Sequence, residues 1–299
     1  MPKGEIVPLG IDLHFKKVFG NNDAIKRLEA LLSIYFNVPY EELKGNVKVL
    51  NSEKRIKNKN SKRQSVDVLA IVELISGTTR VNIEVNLKEG TTLRRNFLYA
   101  SGILSNQLHS KDDYSKLEPV VQISFDNYEV NEKNERIIKR CFLKDETNTI
   151  ITDLLEIDHI NIEKCKQAWY NKTIKDYDKK DRELIKIGAL LTIKNESEFK
   201  ACLEEIAMEK EIKEDIVDAV EEYSEDDEVL AYYYDKEHND EAIRRGDISL
   251  AEQRGLKKGI EQRNIEIAKS MLADKVDMEK ISLYTGLTEE QVKKLKNDD

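Results

Sequence analysis

The sequence predicts an α/β protein in which a sheet-containing core precedes a mostly helical C-terminal region. Two apolar runs, over residues 66–71 and 81–87, flank a turn signal that contains Gly77. Such runs between turn signals are typical of neighbouring strands. Farther along, apolar residues recur every three or four positions over residues 203–220, which is the period of an amphipathic helix. The order of these patterns predicts a sheet first and helices after it.

The first predicted element is a helix that begins near Asp12. Phe15, Val18 and Phe19 follow at helical spacing, and an aspartate directly before such a pattern is a common N-cap. The position of Asp12 by itself therefore predicts a helix cap.

Each of the two predicted strands carries an acidic residue inside an apolar run. Asp67 lies in the first run and Glu84 in the second. Burying a carboxylate is costly unless something pairs with it, and two carboxylates on neighbouring strands repel each other. A divalent cation between them would remove both costs, because carboxylate oxygens suit Mg²⁺ and Mn²⁺. The pattern therefore predicts a candidate metal site for phosphodiester cleavage.

The period of the second strand adds two polar residues to this site. Side chains alternate along a strand, so Glu84, Asn86 and Lys88 are expected to share one face. The amide could position a water, and the lysine could stabilise negative charge that develops on a phosphate. The alternative is an edge strand whose polar face is exposed to solvent, and the residues by themselves leave both interpretations open.

Short motifs around these strands together resemble one known family. In chain order they are residues 12–20, the strands around Asp67 and Glu84, Arg94 or Arg95, Tyr99, Gln107, residues 114–119, Gly255, Gly259 and residues 285–287. Their order and spacing resemble the recombination-promoting nuclease/transposase family of the PD-(D/E)XK nuclease superfamily. The resemblance is strongest over residues 10–125 and weak between about 130 and 240.

The resemblance implies a metal-dependent DNA endonuclease with a PD-(D/E)XK restriction-endonuclease-like αβββαβ core. By position, Asp67 and Glu84 would bind the metal, Mg²⁺ or Mn²⁺, and Asp12 would be an additional acid near it. Asn86 stands where the family has a glutamine, itself a replacement for the superfamily's lysine. Because asparagine is one methylene shorter, the implied catalytic role falls to Asn86 or to Lys88 on the same face.

The shorter Asn86 side chain also motivates a second hypothesis from a different class of protein. In this alternative, the chain is a catalytically degenerate nuclease-fold protein that binds DNA or protein partners and assembles through its C-terminal tail. Divalent-metal binding with and without Asp67 would separate the two hypotheses. Cleavage and strand transfer are not distinguished by the sequence.

DNA is the expected partner even though the net charge is −9. Residues 1–116 carry 19 Lys/Arg against 13 Asp/Glu, whereas residues 196–249 carry 6 against 20. A basic tract over residues 54–63 leads into the Asp67 strand and suits a loop that follows phosphates; a solvated hairpin is the alternative. The candidate DNA-binding residues are Lys57, Lys59, Lys62, Arg63, Arg94 and Arg95.

The chain is predicted to have three parts. Residues 1–150 form the nuclease-like core, residues 151–249 an acidic helical region, and residues 250–299 a long helix followed by a helix-turn-helix-like pair. In the last helix Thr288 and Gln291 predict a capping box, but acids occupy the positions where bases are normally read. The tail is therefore expected to serve first in homo-oligomerisation or another interaction and second in DNA reading.

Composition predicts a cytoplasmic protein without a membrane span. The sequence has no apolar run long enough to cross a bilayer, and residues 1–4 do not resemble a signal peptide. Cys141, Cys165 and Cys202 are scattered, so neither a zinc site nor a disulfide framework is expected.

Overall fold

The computed structural model describes residues 1–50, 67–87, 92–130, 135–237 and 262–297. The chain divides into two compact units, Met1–Tyr233 and Tyr234–Asp299. The first unit contains the sheet and the second contains the C-terminal helices.

The first unit is organised by a six-stranded mixed sheet in the order β1-β2-β3-β4-β6-β5. Neighbouring strands are antiparallel from β1 to β3 and between β5 and β6, whereas β3–β4 and β4–β6 are parallel. The strands, within the described residues, are β1 (Val47–Leu50), β2 (Val68–Leu74), β3 (Gly77–Asn86), β4 (Val120–Asp126), β5 (Ile138–Lys144) and β6 (Ile150–Asn161). The predicted hairpin is therefore present, with its turn at residues 75–76.

Helices surround this sheet. They are α1 (Asp12–Phe19), α2 (Ile25–Phe36), α3 (Tyr40–Leu43), α4 (Thr92–Ser105), α5 (Ile162–Tyr170), α6 (Lys179–Leu190), α7 (Glu196–Glu204) and α8 (Lys210–Ser224), followed by a helical segment over residues 227–237. Helix α4 supplies the crossover that two parallel strands, β3 and β4, require. The order from α1 to β4 contains the αβββαβ core that the sequence analysis expected.

The hydrophobic core lies on one face of the sheet. Alternate residues of the central strands, such as Ile83, Ile123 and Ile160, are buried there with Phe15 of α1 and Leu28 of α2. The core continues through helices α5 to α8. Each of these helices has an apolar stripe that is stable only when it is buried against another element. The three-part division remains a prediction, and its first boundary, residue 150, is the first residue of a paired strand, β6.

The acidic region contains helices α7 and α8, followed by a short break. Helix α8 ends at Ser224, and helical structure resumes at residue 227. The Asp226 carboxylate accepts hydrogen bonds from the Glu228 and Val229 amides at 3.0 Å, which caps the new helix. It also binds Lys17 of α1 at 3.0 Å.

The second unit contains two short helices, Met278–Thr285 and Glu289–Asn297, after a helical segment over residues 262–273. Gly286 joins the pair in a left-handed conformation with φ of 69°, which glycine adopts without strain. The predicted capping box is confirmed, since Thr288 N donates to Gln291 Oε1 at 2.8 Å and Gln291 N donates to Thr288 Oγ1 at 3.3 Å. Gly255 and Gly259 lie outside the described residues.

The buried residues Ala268, Ile281, Leu287 and Val292 form a small hydrophobic core of this second unit. In the part of the chain that the structure describes, no helix is long and apolar enough to span a membrane.

Candidate active site

The two strand acids face each other across the β2–β3 hairpin. Asp67 immediately precedes β2, and the register pairs Val68 with Ile83, which places Asp67 opposite Glu84. The Asp67 amide donates to Glu84 Oε1 at 3.3 Å, and the Val85 amide donates to Asp67 Oδ2 at 2.9 Å. The structure therefore brings together the two carboxylates that the strand pattern singled out.

Glu84 is in an unfavourable electrostatic environment when it is ionised. Only 5% of the residue is exposed. Burial and the nearby charge of Asp67 raise the pKa of Glu84 to about 8, against the opposing effects of Arg95 and of the Asn82 amide. A buried carboxylate beside a second carboxylate is stabilised in its ionised form by a cation.

A row of buried polar side chains continues from Glu84 across the sheet. Because β3 and β4 are parallel and in register, the side chains of Asn86, Ser124 and Asp126 meet on the face that carries Glu84. The Asn86 amide nitrogen donates to Ser124 Oγ at 2.8 Å and to Asp126 Oδ1 at 2.9 Å. The row ends at His159 of β6, whose Nδ1 lies 2.8 Å from Asp126 Oδ2.

Asn86 is therefore engaged at both ends of its amide. Its nitrogen bonds to β4, and its oxygen accepts a hydrogen bond from the guanidinium of Arg95. An amide in this arrangement has to give up a buried partner before it can bind a metal or water. The geometry therefore favours a role in which Asn86 positions Arg95. It disfavours a role in which Asn86 itself contacts the reacting atoms.

The two arginines of helix α4 lie in different environments. The helix lies over the polar face of the sheet, where its Ala100 is buried in a cluster with Val120 and Leu155. Arg95 is half-buried against Asn86, and its guanidinium carbon lies 6.0 Å from the centre of the Tyr99 ring. Arg94 is exposed. The two neighbouring arginines, both predicted to bind DNA, thus differ in that only Arg95 contacts the site.

Asp12 is not the N-cap of α1. The cap position is Ile11, without a side-chain cap bond, and Asp12 is the first helical residue. Its Oδ2 instead accepts a hydrogen bond from the Tyr232 hydroxyl at 3.1 Å. The cap prediction was wrong because the local pattern fixes the start of a helix only to within a residue or two.

Tyr232 is a site residue that the sequence analysis missed. Burial raises the pKa of its hydroxyl to about 12, with further contributions from the charges of Asp12 and Asp67. The helix that carries Tyr232 is held against the N-terminal segment by Val229 and Tyr233, which are buried with Val7 and Ile11. The run of three tyrosines at residues 232–234 was a visible signal, but nothing in the sequence connects it to Asp12.

The donor set fits a hard divalent cation. Among the described residues, no three His, Cys, Asp or Glu side chains converge as a metal-binding group, so Asp12 does not complete a three-acid cluster with Asp67 and Glu84. Mg²⁺ is commonly held by one or two carboxylates together with waters and substrate phosphates. Asp67 and Glu84 provide this number, and a bound ion would offset the repulsion between them.

Several predicted residues lie outside the described part of the chain. They are Lys88 and the basic-tract residues Lys57, Lys59, Lys62 and Arg63. Their expected roles remain predictions.

Comparison with known families gives two matches. The model of the PD-(D/E)XK nuclease family transposase matches residues 9–245, which include the complete sheet and the acid pair. The model of the Rpn/YhgA-like nuclease family C-terminal HTH domain matches residues 261–297, which include the two short helices around Gly286. No curated protein matches the chain, and no solved structure does.

Proposed function

Because the chain belongs to the PD-(D/E)XK nuclease family transposases, we propose that it is a divalent-metal-dependent DNA endonuclease that hydrolyses phosphodiester bonds. The observation that carries this proposal is the Asp67–Glu84 pair, a buried carboxylate held against a second one by the backbone of a hairpin. We propose Mg²⁺ or Mn²⁺ as the cofactor and the cytoplasm as the location. The DNA that the protein cuts would then promote recombination.

In this proposal Asp67 and Glu84 hold the cation. When bound, the ion would lower the pKa of a coordinated water and withdraw charge from the scissile phosphate. Asp67 is oriented by the Val85 amide, so its carboxylate is fixed before substrate arrives. Asp12, which accepts a hydrogen bond from Tyr232, is proposed as an additional acid near the cation.

Arg95 is the cation we assign to the substrate phosphate. It is fixed by Asn86, which is fixed in turn by Asp126 and Ser124. A guanidinium on such a support can donate to two phosphate oxygens without reorganisation. Lys88 remains a second candidate for this role on the predicted strand face.

The C-terminal unit supports DNA as the partner. Its match to an HTH domain is consistent with contact to a duplex. Leu283 and Tyr284 of its first short helix are 78% and 72% exposed, and such apolar exposure suits contact with another chain. We therefore propose DNA binding and homo-oligomerisation as the two roles of the tail.

Nicking of supercoiled plasmid tests the proposal. Wild-type protein with Mg²⁺ or Mn²⁺ should cut, and Asp67→Ala and Glu84→Ala should not. Glu73→Ala is a matched control, because Glu73 is an exposed acid on the same hairpin. Metal binding gives a second readout, since an ion that binds only the folded state raises the unfolding temperature. Equal cutting by the wild type and both site variants would overturn the assignment.

The alternative is a catalytically degenerate relative that binds DNA or protein through its tail. The full engagement of the Asn86 amide favours it, because a residue at the superfamily's lysine position then does not reach substrate. DNA binding by wild-type protein without metal-dependent cutting would select this alternative.

A further inference from the structure

A basic cavity lies at the β5 edge of the sheet. Its volume is about 360 Å³. Among the described residues that line it there are five Lys/Arg side chains and no carboxylate. The basic side chains of the lining are Arg136, Lys139, Arg140, Lys144, Lys180 and His159.

Three acids near this cavity, among the described residues, are already bound to cations. Glu129 pairs with Lys139 and also with Lys164, whose Nζ lies 2.6 Å from its Oε2. One carboxylate thus forms ion pairs with two lysines. Burial and the charge of Lys164 lower the pKa of Lys139. Asp158 and Asp181 both lie within ion-pair distance of Arg140, at 3.5 and 2.7 Å. Glu156 also interacts electrostatically with Arg140 and Lys180. The positive charge of the cavity is therefore that of its own lining, which contains no carboxylate among the described residues.

His159 adds a buried polar group to the cavity lining. The residue is 3% exposed, and its Nδ1 is bonded to Asp126. Within the described part of the chain, its Nε2 has no hydrogen-bond partner. A buried polar atom without a partner is uncommon in a folded protein, and a protonated imidazole would offer this nitrogen as a donor.

We propose that this cavity is a binding site for a phosphate group. Lysine and arginine side chains are the groups that recognise phosphate oxygens. A bound anion would offset the positive charge of this lining. The site is distinct from the acid pair, but the two share a hydrogen-bond network, because Asp126 accepts from Asn86. The phosphate can belong to a DNA end or be free in solution.

Calorimetry on the full-length protein in EDTA tests the proposal without involving the metal site. Three probes are compared: inorganic phosphate, a 5′-phosphorylated tetranucleotide and the same tetranucleotide with a free 5′-hydroxyl. The test variant is Lys144→Glu with Lys180→Glu, since both lysines are exposed at the cavity rim. The matched control is Lys26→Glu with Lys210→Glu, two exposed lysines outside the cavity lining.

Inorganic phosphate or the 5′-phosphorylated tetranucleotide should bind the wild type and the control more tightly than the tetranucleotide with a free 5′-hydroxyl does. It should bind the rim variant at least about tenfold more weakly, because two attractive charges become repulsive. It should also shift the NMR signals of the His159 ring. Tighter binding of the phosphorylated tetranucleotide identifies a DNA end as the source, and tighter binding of inorganic phosphate identifies the free anion. Absence of binding to the wild type, or equal binding to the rim variant, would overturn the proposal whether or not the protein cuts DNA.

Discussion

The backbone amide of Asp67 donates a hydrogen bond to Glu84 Oε1 at 3.3 Å, and the Asp67 side chain in turn accepts the amide of Val85 at 2.9 Å. The Glu84 side chain is thus held by the backbone amide of Asp67, and the Asp67 side chain is held by a backbone amide of β3. This arrangement fixes both carboxylates when the hairpin forms and leaves their mutual repulsion to be relieved by a proton or a cation.

The raised pKa of Glu84 predicts a pH dependence of stability. Folding raises this pKa from about 4.5 to about 8, so between these values the folded state holds a proton that the unfolded state releases. The free energy of unfolding in EDTA should therefore fall as pH rises from about 5 to 8. Glu84→Gln should remove part of this fall, on the order of a few kcal/mol, as measured by urea unfolding.

Asp158 contributes to the same fall, because burial and Glu156 raise its pKa to about 8 as well. Some slope will therefore remain in Glu84→Gln. Glu73→Gln, at an exposed position of β2, should keep the wild-type slope. A Glu84→Gln curve parallel to that of the wild type would contradict the prediction.

The neighbouring arginines of α4 should differ in their effect on cleavage. Arg95 is held by Asn86 beside Glu84, whereas Arg94 is exposed. Arg95→Lys should lower the plasmid-nicking rate at saturating DNA by about 10- to 100-fold, because a lysine does not reproduce the guanidinium fork. Arg94→Lys should change it by less than about threefold. Equal losses in the two variants would mean that Arg95 has no special place in the site.

The Tyr232–Asp12 hydrogen bond should be visible in tyrosine titration. Burial and the Asp12 charge keep the pKa of Tyr232 near 12, so at about pH 11 it should stay protonated while an ordinary tyrosine ionises. In Asp12→Asn its pKa should fall, measured by NMR of labelled tyrosine rings. Tyr170, whose pKa is raised to about 12 by Glu198 and by burial, should not respond. A fall at both tyrosines would indicate general loosening of the fold.

The packing of α5 on α6 requires a glycine at position 188. A Cβ built on Gly188 would lie 2.6 Å from Cys165 Sγ, and Cys165 is fully buried. Gly188→Ala should therefore destabilise the protein by about 1–3 kcal/mol, measured by urea unfolding. Adding Cys165→Ala should recover part of the loss, since it removes the nearest atom. Additive losses in the double variant would argue against this contact.

The central hairpin and the tail were predictable because their signals are local. The alternation around Glu84 and the apolar run after Asp67 define two strands of a hairpin. The Thr288–Gln291 capping box likewise depends on residues three positions apart. The parallel pairing of β3 with β4, and the place of β6 between β4 and β5, depend on contacts between distant segments, for which a single sequence carries no comparable signal.

The sequence by itself determined that two acids would stand on adjacent strands with Asn86 on the same face as Glu84, because strand alternation is a local property of the backbone. Only the tertiary structure decided which contacts these side chains make. It engaged the Asn86 amide with Asp126 and Arg95, brought Tyr232 to Asp12 from 220 positions away, and placed His159 at a basic cavity. These relations arise from the packing of segments far apart in the chain, since burial and charge at a site depend on every element that covers it.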